Sequence, residues 1–232
     1  MLELFPEGFE ESDSRDGVEL AAYTDAGGEE RLWSAFGGAR ATDVEEGWED
    51  RWRAFHRPVR IGPLWIGPPW EPPDDGALPV VIDPGRAFGT GAHATTRLCL
   101  ELLLGVPHGS LLDAGCGSGV LSIAAAKLGF DPVYAVDIDP KAIEATERNT
   151  TANGVPVDVR LADAAHDPLP PTGTAVVNVA LDADVTIAER LACDHVVTSG
   201  YLAAERPAVV GYQHGDRREA EGWAADLHVR TE

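Results

Sequence analysis

Residues 111–121 read LLDAGCGSGVL. An apolar strand runs into Asp113, glycines follow at positions 115, 117 and 119, and an apolar helical run opens at Val120. Glycine at alternate positions lets the backbone turn tightly and approach a ligand with no Cβ in the way. A dinucleotide loop would need GxGxxG, with its pyrophosphate on the helix N-terminus. Counted from Gly115, the third glycine of that spacing would fall at position 120, which is Val120. Asp113 at the start of the loop would also repel a pyrophosphate. It suits a ligand that carries positive charge, held directly or through water.

The next acid downstream is in VDIDP, residues 136–140, where Asp137 lies 22 residues beyond Gly115. A carboxylate at the end of the following strand can accept both ribose hydroxyls of an adenosine, and that fits either kind of cofactor. Asp139 reads as a helix cap, with Pro140 at the first helical position and Asn153-Gly154 as the stop. Asp163, in LADAA, can meet an adenine amine or belong to an acidic surface. Strands are predicted at 77–82, 110–113, 133–137, 157–161, 175–178 and 195–199, and helices at 95–104, 120–128, 140–153 and 183–191. Such alternation implies an α/β fold built on a parallel, doubly wound sheet. Residues 215–230 lack a helical stripe, and 223–229 alternate apolar with polar, which predicts a late antiparallel strand.

Upstream the pattern is broken by Gly and Pro. GVELAAY, residues 17–23, reads as a short strand. Val44, Trp48, Trp52 and Phe55 form one apolar stripe on a predicted helix over 44–55, capped by Asp43 with Glu46 three residues on. The stripe reads as a face packed against neighbouring strands, with a binding surface as the alternative. Residues 59–70 read as two strands around Gly62-Pro63, and EPPDDG, residues 71–76, as a linker. The expected organisation is a small α+β segment over 1–70, the linker, and a cofactor-binding domain over 77–232.

With 232 residues the chain is one large domain, or one with a small appendage. Its formal charge of −21 argues against a nucleic-acid or anionic-membrane binder and is compatible with a basic partner. Three widely spaced cysteines show neither a disulfide framework nor a metal-site spacing, so no metal is expected. No signal pattern or spanning run is found, and the cytoplasm is the expected compartment. Oligomeric state is not fixed by the sequence.

The acid-x-Gly-x-Gly-x-Gly spacing is that of methyltransferases that use S-adenosylmethionine. DPGRAFGTGAHATTRLCLELL, residues 83–103, makes the match specific: it resembles the PrmA family, which methylates large-subunit ribosomal protein eleven. The glycine loop, IAAAKLG at 123–129, VDIDP, Asn178 at a strand end, and EEGWEDRWRAFHRPVRIG at 45–62 belong to the same pattern. The family's ferredoxin-like substrate domain has a counterpart only from FPEGFEE onward. Ala92 and Ala94 stand where Thr and Pro are usual, NVAL replaces Asn-Ile-Leu-Ala, and ACDH replaces a Gly-rich turn.

The resemblance implies a Rossmann-like methyltransferase with a mostly parallel, seven-stranded sheet. It implies methyl transfer from S-adenosylmethionine to lysine or N-terminal amines of a basic ribosomal protein. Thr96, Gly115, Asp137 and Asn178 fall on the family's cofactor positions. Phe88 and the turn at 89–91 fall on the loop over the cofactor, though Phe88 also suits a core. Asp113 and Gly117 complete the expected cofactor set. Asn178 is the expected acceptor for the incoming amine, its oxygen orienting a lone pair without adding a charge. His93 can take a proton or brace its loop. Two other readings stay open: a related methyltransferase with a small-molecule or different protein substrate, and a cofactor-binding module with little catalysis.

Overall fold

The computed structural model describes residues 10–14, 17–21, 35, 57–83 and 91–231. The chain divides into two compact units, Met1–Arg51 and Trp52–Glu232. In the first, β1 (Glu10–Ser14) pairs antiparallel with β2 (Gly17–Ala21). The strand predicted at 17–23 is β2; β1, with the sequence EESDS, carries no apolar alternation to announce it. The predicted helix over 44–55 lies outside the described residues.

The second unit holds two sheets. β3 (Val59–Ile61), β4 (Leu64–Gly67) and β5 (Leu78–Val81) form a small one, with β3 antiparallel and β5 parallel to β4. The strand predicted at 77–82 therefore sits outside the main sheet. The stretch predicted as a linker is a turn inside this unit, joining β4 to β5.

The chain then alternates: α1 (Ala94–Leu103), β6 (Leu111–Ala114), α2 (Val120–Leu128), β7 (Val133–Asp137), α3 (Pro140–Asn153), β8 (Asp158–Leu161), β9 (Thr174–Asn178), α4 (Leu181–Arg190), β10 (His195–Leu202), β11 (Tyr212–Ala220) and β12 (Trp223–Arg230). The seven-stranded sheet has the order β11-β12-β10-β9-β6-β7-β8. Five strands run parallel; β12 is antiparallel to both β10 and β11, so the sheet is mixed. The predicted antiparallel strand is β12. Its neighbour β11 was not predicted, because YQHGDRREA has no apolar face to read.

Strand alternation divides the core. Leu111, Val176 and Val197 face one layer with Leu98, Leu102, Leu103, Ile123, Leu64, Ile66 and Val80. Leu112, Val177 and Val196 face the other with Ile187, Ala188 and Val209. Each fully buried Leu or Ile is worth roughly 1.5–3 kcal/mol of burial, so α1 and the small sheet are held mainly by this first layer. The end of α3 is tied to β5 by polar contacts. Asn153 Oδ1 accepts from Val81 N–H at 2.9 Å, and its Nδ2 donates back to Val81 O at 2.7 Å.

Two buried acids behave differently. Asp226 accepts from Tyr201 Oη and Arg217 Nη1, each at 2.7 Å, and contacts His214 Nε2 at 2.8 Å. Asp184, on α4, is fully buried, and neither oxygen has a hydrogen-bond partner among the described residues. Burial raises its pKa, and the nearby Asp226 carboxylate adds to the shift. The folded state therefore holds a proton that the unfolded chain releases near pH 4, so Asp184 destabilises increasingly as pH rises. Asp184→Val, close in volume, is expected to stabilise the protein by about 1–3 kcal/mol at pH 8 and by less at pH 5. Thermal unfolding at the two pH values checks it; a variant less stable at pH 8 would refute the reading.

Candidate active site

The order of the main sheet reverses beside β6, whose neighbours are β7 on one side and β9 on the other. Open α/β sheets bind ligands at such a switch point, outside the carboxyl ends of the strands. A cleft of about 780 Å³ lies there. Its lining follows the strand order: Asp163 beyond β8, Asp137 at the end of β7, Gly115 to Gly117 after β6, Asn178 at the end of β9, Gly200 in β10 and Trp223 opening β12. His93, Thr95 and Thr96 close one side from α1, and Ala180, Ala183 and Ile187 the other from α4.

The glycine loop is fastened to β7 and α3. Gly115 and Cys116 N–H donate to Val136 O at 2.8 and 3.1 Å. From α3, Thr146 Oγ1 donates to Gly117 O and Asn149 Nδ2 to Ser118 O. Asp137 accepts from Gly117 N–H at 2.9 Å through Oδ2 and from Asp139 N–H at 3.0 Å through Oδ1. Each carboxylate oxygen keeps lone-pair capacity for a second donor, so the fixed carboxylate can still accept two hydroxyls from the cleft.

Asp113 is placed otherwise than expected. It follows Leu111 by two, so it shares that residue's face of the sheet and lies buried under α2 rather than on the cleft wall. Ser122 donates to its Oδ2 from both N–H, at 3.1 Å, and Oγ, at 2.5 Å. Burial pushes its pKa up to about 6 against the pull of those bonds. Its Oδ1 is buried with no hydrogen-bond partner among the described residues. Asp113 is not among the residues that line the cleft.

His93 caps α1. Its Nδ1 lies 3.4 Å from Thr95 N and 2.8 Å from Thr95 Oγ1, and its ring packs edge-on against Trp223 at 5.0 Å. The histidine thus caps the helix that carries Thr95 and Thr96. Asn178 is half-buried, paired with Ser199, and its amide makes no hydrogen bond to a described residue. Of the predicted residues, His93, Thr96, Gly115, Gly117, Asp137 and Asn178 line one cleft, and Phe88 lies outside the described residues. Asp163 also lines it. The His166 ring beside that acid, with Ala165 N–H, holds its carboxyl below the usual range.

The composition missed Gly200 and Trp223. A Cβ on Gly200, at φ +109°, would sit 1.7 Å from Val179 O, while one on Gly115 would sit 2.5 Å from Val179 Cγ1. Val179 is therefore clamped between two glycines, and the clamp fixes Asn178 before it. The only sequence signal for Gly200 is an isolated glycine within a strand, which marks a bulge or a close approach. The structure has that bulge between Ser199 and Tyr201.

The donor set tests which cofactor fits. Among the described residues lining the cleft there is no lysine or arginine, and both acids are exposed to it. Nothing there balances a pyrophosphate, and Gly117 N–H, one of the loop amides, is taken by Asp137. A cationic sulfonium and ammonium on an adenosine fit this surface. Fold and site are those of the Rossmann-like methyltransferases that use S-adenosylmethionine.

Comparison with known proteins narrows the class. The model of the ribosomal protein L11 methyltransferase (PrmA) family matches residues 18–204. The chain is 39% identical over 202 residues to the ribosomal protein L11 methyltransferase of Symbiobacterium thermophilum, covering 80% of this chain and 66% of the relative. It is 38% identical over 196 residues to that of Legionella pneumophila strain Lens, covering 78% and 68%. The crystal structure of the ribosomal protein L11 methylase from Lactobacillus delbrueckii subsp. bulgaricus superposes with a TM-score of 0.69 at 25% identity, covering 76% of this chain and all of the other. The chain belongs to the PrmA family of ribosomal protein L11 methyltransferases. It spans about two thirds of the length of these curated relatives.

Proposed function

We propose that this protein transfers methyl groups from S-adenosylmethionine to lysine or N-terminal amines of ribosomal protein L11, a basic protein of the large subunit, in the cytoplasm. The carrying observation is the lining of the cleft, with carboxylates at the adenosine end and the uncharged Asn178 at the centre. Bound S-adenosylmethionine supplies a methyl group on a sulfonium, with a neutral thioether as leaving group. Asp137 would hold the ribose, and the loop at Gly115 to Gly117 would pass beneath the sulfonium. The attacking amine must be neutral, although a free lysine has a pKa of about 10.4. A site that strips water from the ammonium favours loss of its proton. Asn178 can then accept from the remaining N–H and turn the lone pair toward the methyl carbon. The new N–C bond forms in line as the C–S bond breaks, so the protein contributes mainly position. A charge of −21 attracts a basic partner to the protein.

The test is the intact mass of the source organism's own L11 after incubation with this protein and S-adenosylmethionine. Steps of one methyl mass are expected. An unchanged mass with cofactor bound would assign the site to another acceptor. Asn178→Ala is expected to lower kcat by roughly a hundredfold while S-adenosylhomocysteine affinity changes less than threefold. An equal loss in both would make Asn178 a binding residue only.

A further inference from the structure

The cleft is longer than the cofactor alone requires. From β8 to β12 it crosses five strand spacings, about 24 Å at roughly 4.8 Å each. The ribose carboxylate sits on β7 and the orienting amide on β9, so the cofactor accounts for the β8-to-β9 part. What remains is the stretch over β10 and β12. There the sheet rises beyond its own edge: β9 ends at Asn178, opposite Ser199, while β10 continues to Leu202, paired with Trp223 on β12. Trp223 stands on that extension, half-buried, lining the cleft. Its ring is fixed by the edge contact with His93, whose own position is set by capping α1. Both acids that line the cleft are at the opposite end.

We propose that Trp223 is the acceptor wall of the site: its indole takes the alkyl stem and amine of the incoming substrate and aligns them with Asn178. This rests on the methyl-transfer reading and adds which end of the cleft admits the acceptor, and by what chemistry. An indole face packs against a methylene chain, and its negative quadrupole attracts an ammonium. An anionic acceptor is disfavoured by the same face. Attraction to a ring face is weaker than an ion pair, so the amine is not locked as an ammonium and can give up its proton before attack. The wall thus admits an amine carried on an apolar stem.

The experiment needs no turnover. Two ligands are titrated calorimetrically into the full chain: S-adenosylhomocysteine, and an S-adenosylhomocysteine-like bisubstrate probe in which an unbranched aminoalkyl chain extends from the position of the sulfur. The wild-type protein is expected to bind the extended probe at least tenfold more tightly. Trp223→Leu keeps an apolar wall for folding but lacks the ring face, and is expected to lose at least fivefold of that gain. Trp223→Phe should keep the gain within twofold. S-adenosylhomocysteine affinity should be unchanged in all three. An extension that adds no affinity in the wild type, or a Trp223→Leu loss equal for both ligands, overturns the assignment. Absence of S-adenosylhomocysteine binding to the wild type would instead overturn the methyl-transfer reading beneath it.

Discussion

Gly200→Ala is expected to unfold the site and to lower the stability of the whole domain. Two costs combine. The backbone at Gly200 has φ +109°, a conformation that costs a non-glycine residue about 1–3 kcal/mol. The added Cβ would also lie 1.7 Å from Val179 O. That neighbour is main chain at the end of a central strand, not the tip of a side chain, so nothing nearby yields cheaply. Gly115→Ala makes the useful contrast. Its Cβ would meet Val179 Cγ1 at 2.5 Å, and a valine methyl can rotate aside. Gly200→Ala should therefore lose about 3 kcal/mol or more. For a chain of this size that is a fall in Tm of roughly 6–12 °C, with Gly115→Ala clearly smaller. Because Val179 is the residue after Asn178, turnover should be abolished in Gly200→Ala even where enough protein remains folded to bind S-adenosylhomocysteine. Scanning calorimetry with a single-turnover assay checks both parts. A Tm within 2 °C of wild type and turnover within twofold would show that β10 can retreat from Val179.

What the sequence disclosed, and what it hid, follows from how local each determinant is. α2 and β7 are read from the sequence to the residue, because an apolar run with clear stops, Gly119 and Gly129 for α2 and Pro132 and the Asp137–Pro140 turn for β7, needs no partner to be recognised. The loop, Asp137 and Asn178 were legible for a similar reason: each sits at a strand end, and the strand order of an alternating chain brings those ends together. Placement in space was not local. Leu78-Pro79-Val80-Val81 looks like any half-buried strand, and only its pairing with β4 assigns it to the small sheet. β11 is an edge strand, paired on one side alone, so it needs no apolar alternation. Asp113 was placed on the right loop but on the wrong face. Counting alternation back to Leu111 would have turned it beneath α2. Gly200 and Trp223 depend on a bulge and on a strand overrun, and neither has a pattern until the partner strand is known.

Asp137→Ala is expected to weaken S-adenosylhomocysteine binding by two to three powers of ten. Hydrogen bonds to a charged group are worth about 1.5–3 kcal/mol each, and the ribose offers two hydroxyls to this carboxylate. Taken at the lower end of that range, because the hydroxyls are neutral donors, losing both comes to roughly 3–4 kcal/mol, which is some hundred- to thousandfold in Kd. Stability should change little, since the loop keeps its bonds to Val136 O, Thr146 and Asn149. The sharper variant is Asp137→Asn. In wild type both oxygens already accept backbone N–H groups, Gly117 on one side and Asp139 on the other. An asparagine has one oxygen, so its NH₂ must face one of those N–H donors. The side chain would turn or the loop would shift, and either removes the acceptor geometry that the ribose needs. Asp137→Asn should therefore bind nearly as poorly as Asp137→Ala, although it preserves size and one acceptor. If Asp137→Asn bound S-adenosylhomocysteine within threefold of wild type, the paired N–H bonds would not be what holds this carboxylate in place. If Asp137→Ala did so, Asp137 would be outside the cofactor site altogether.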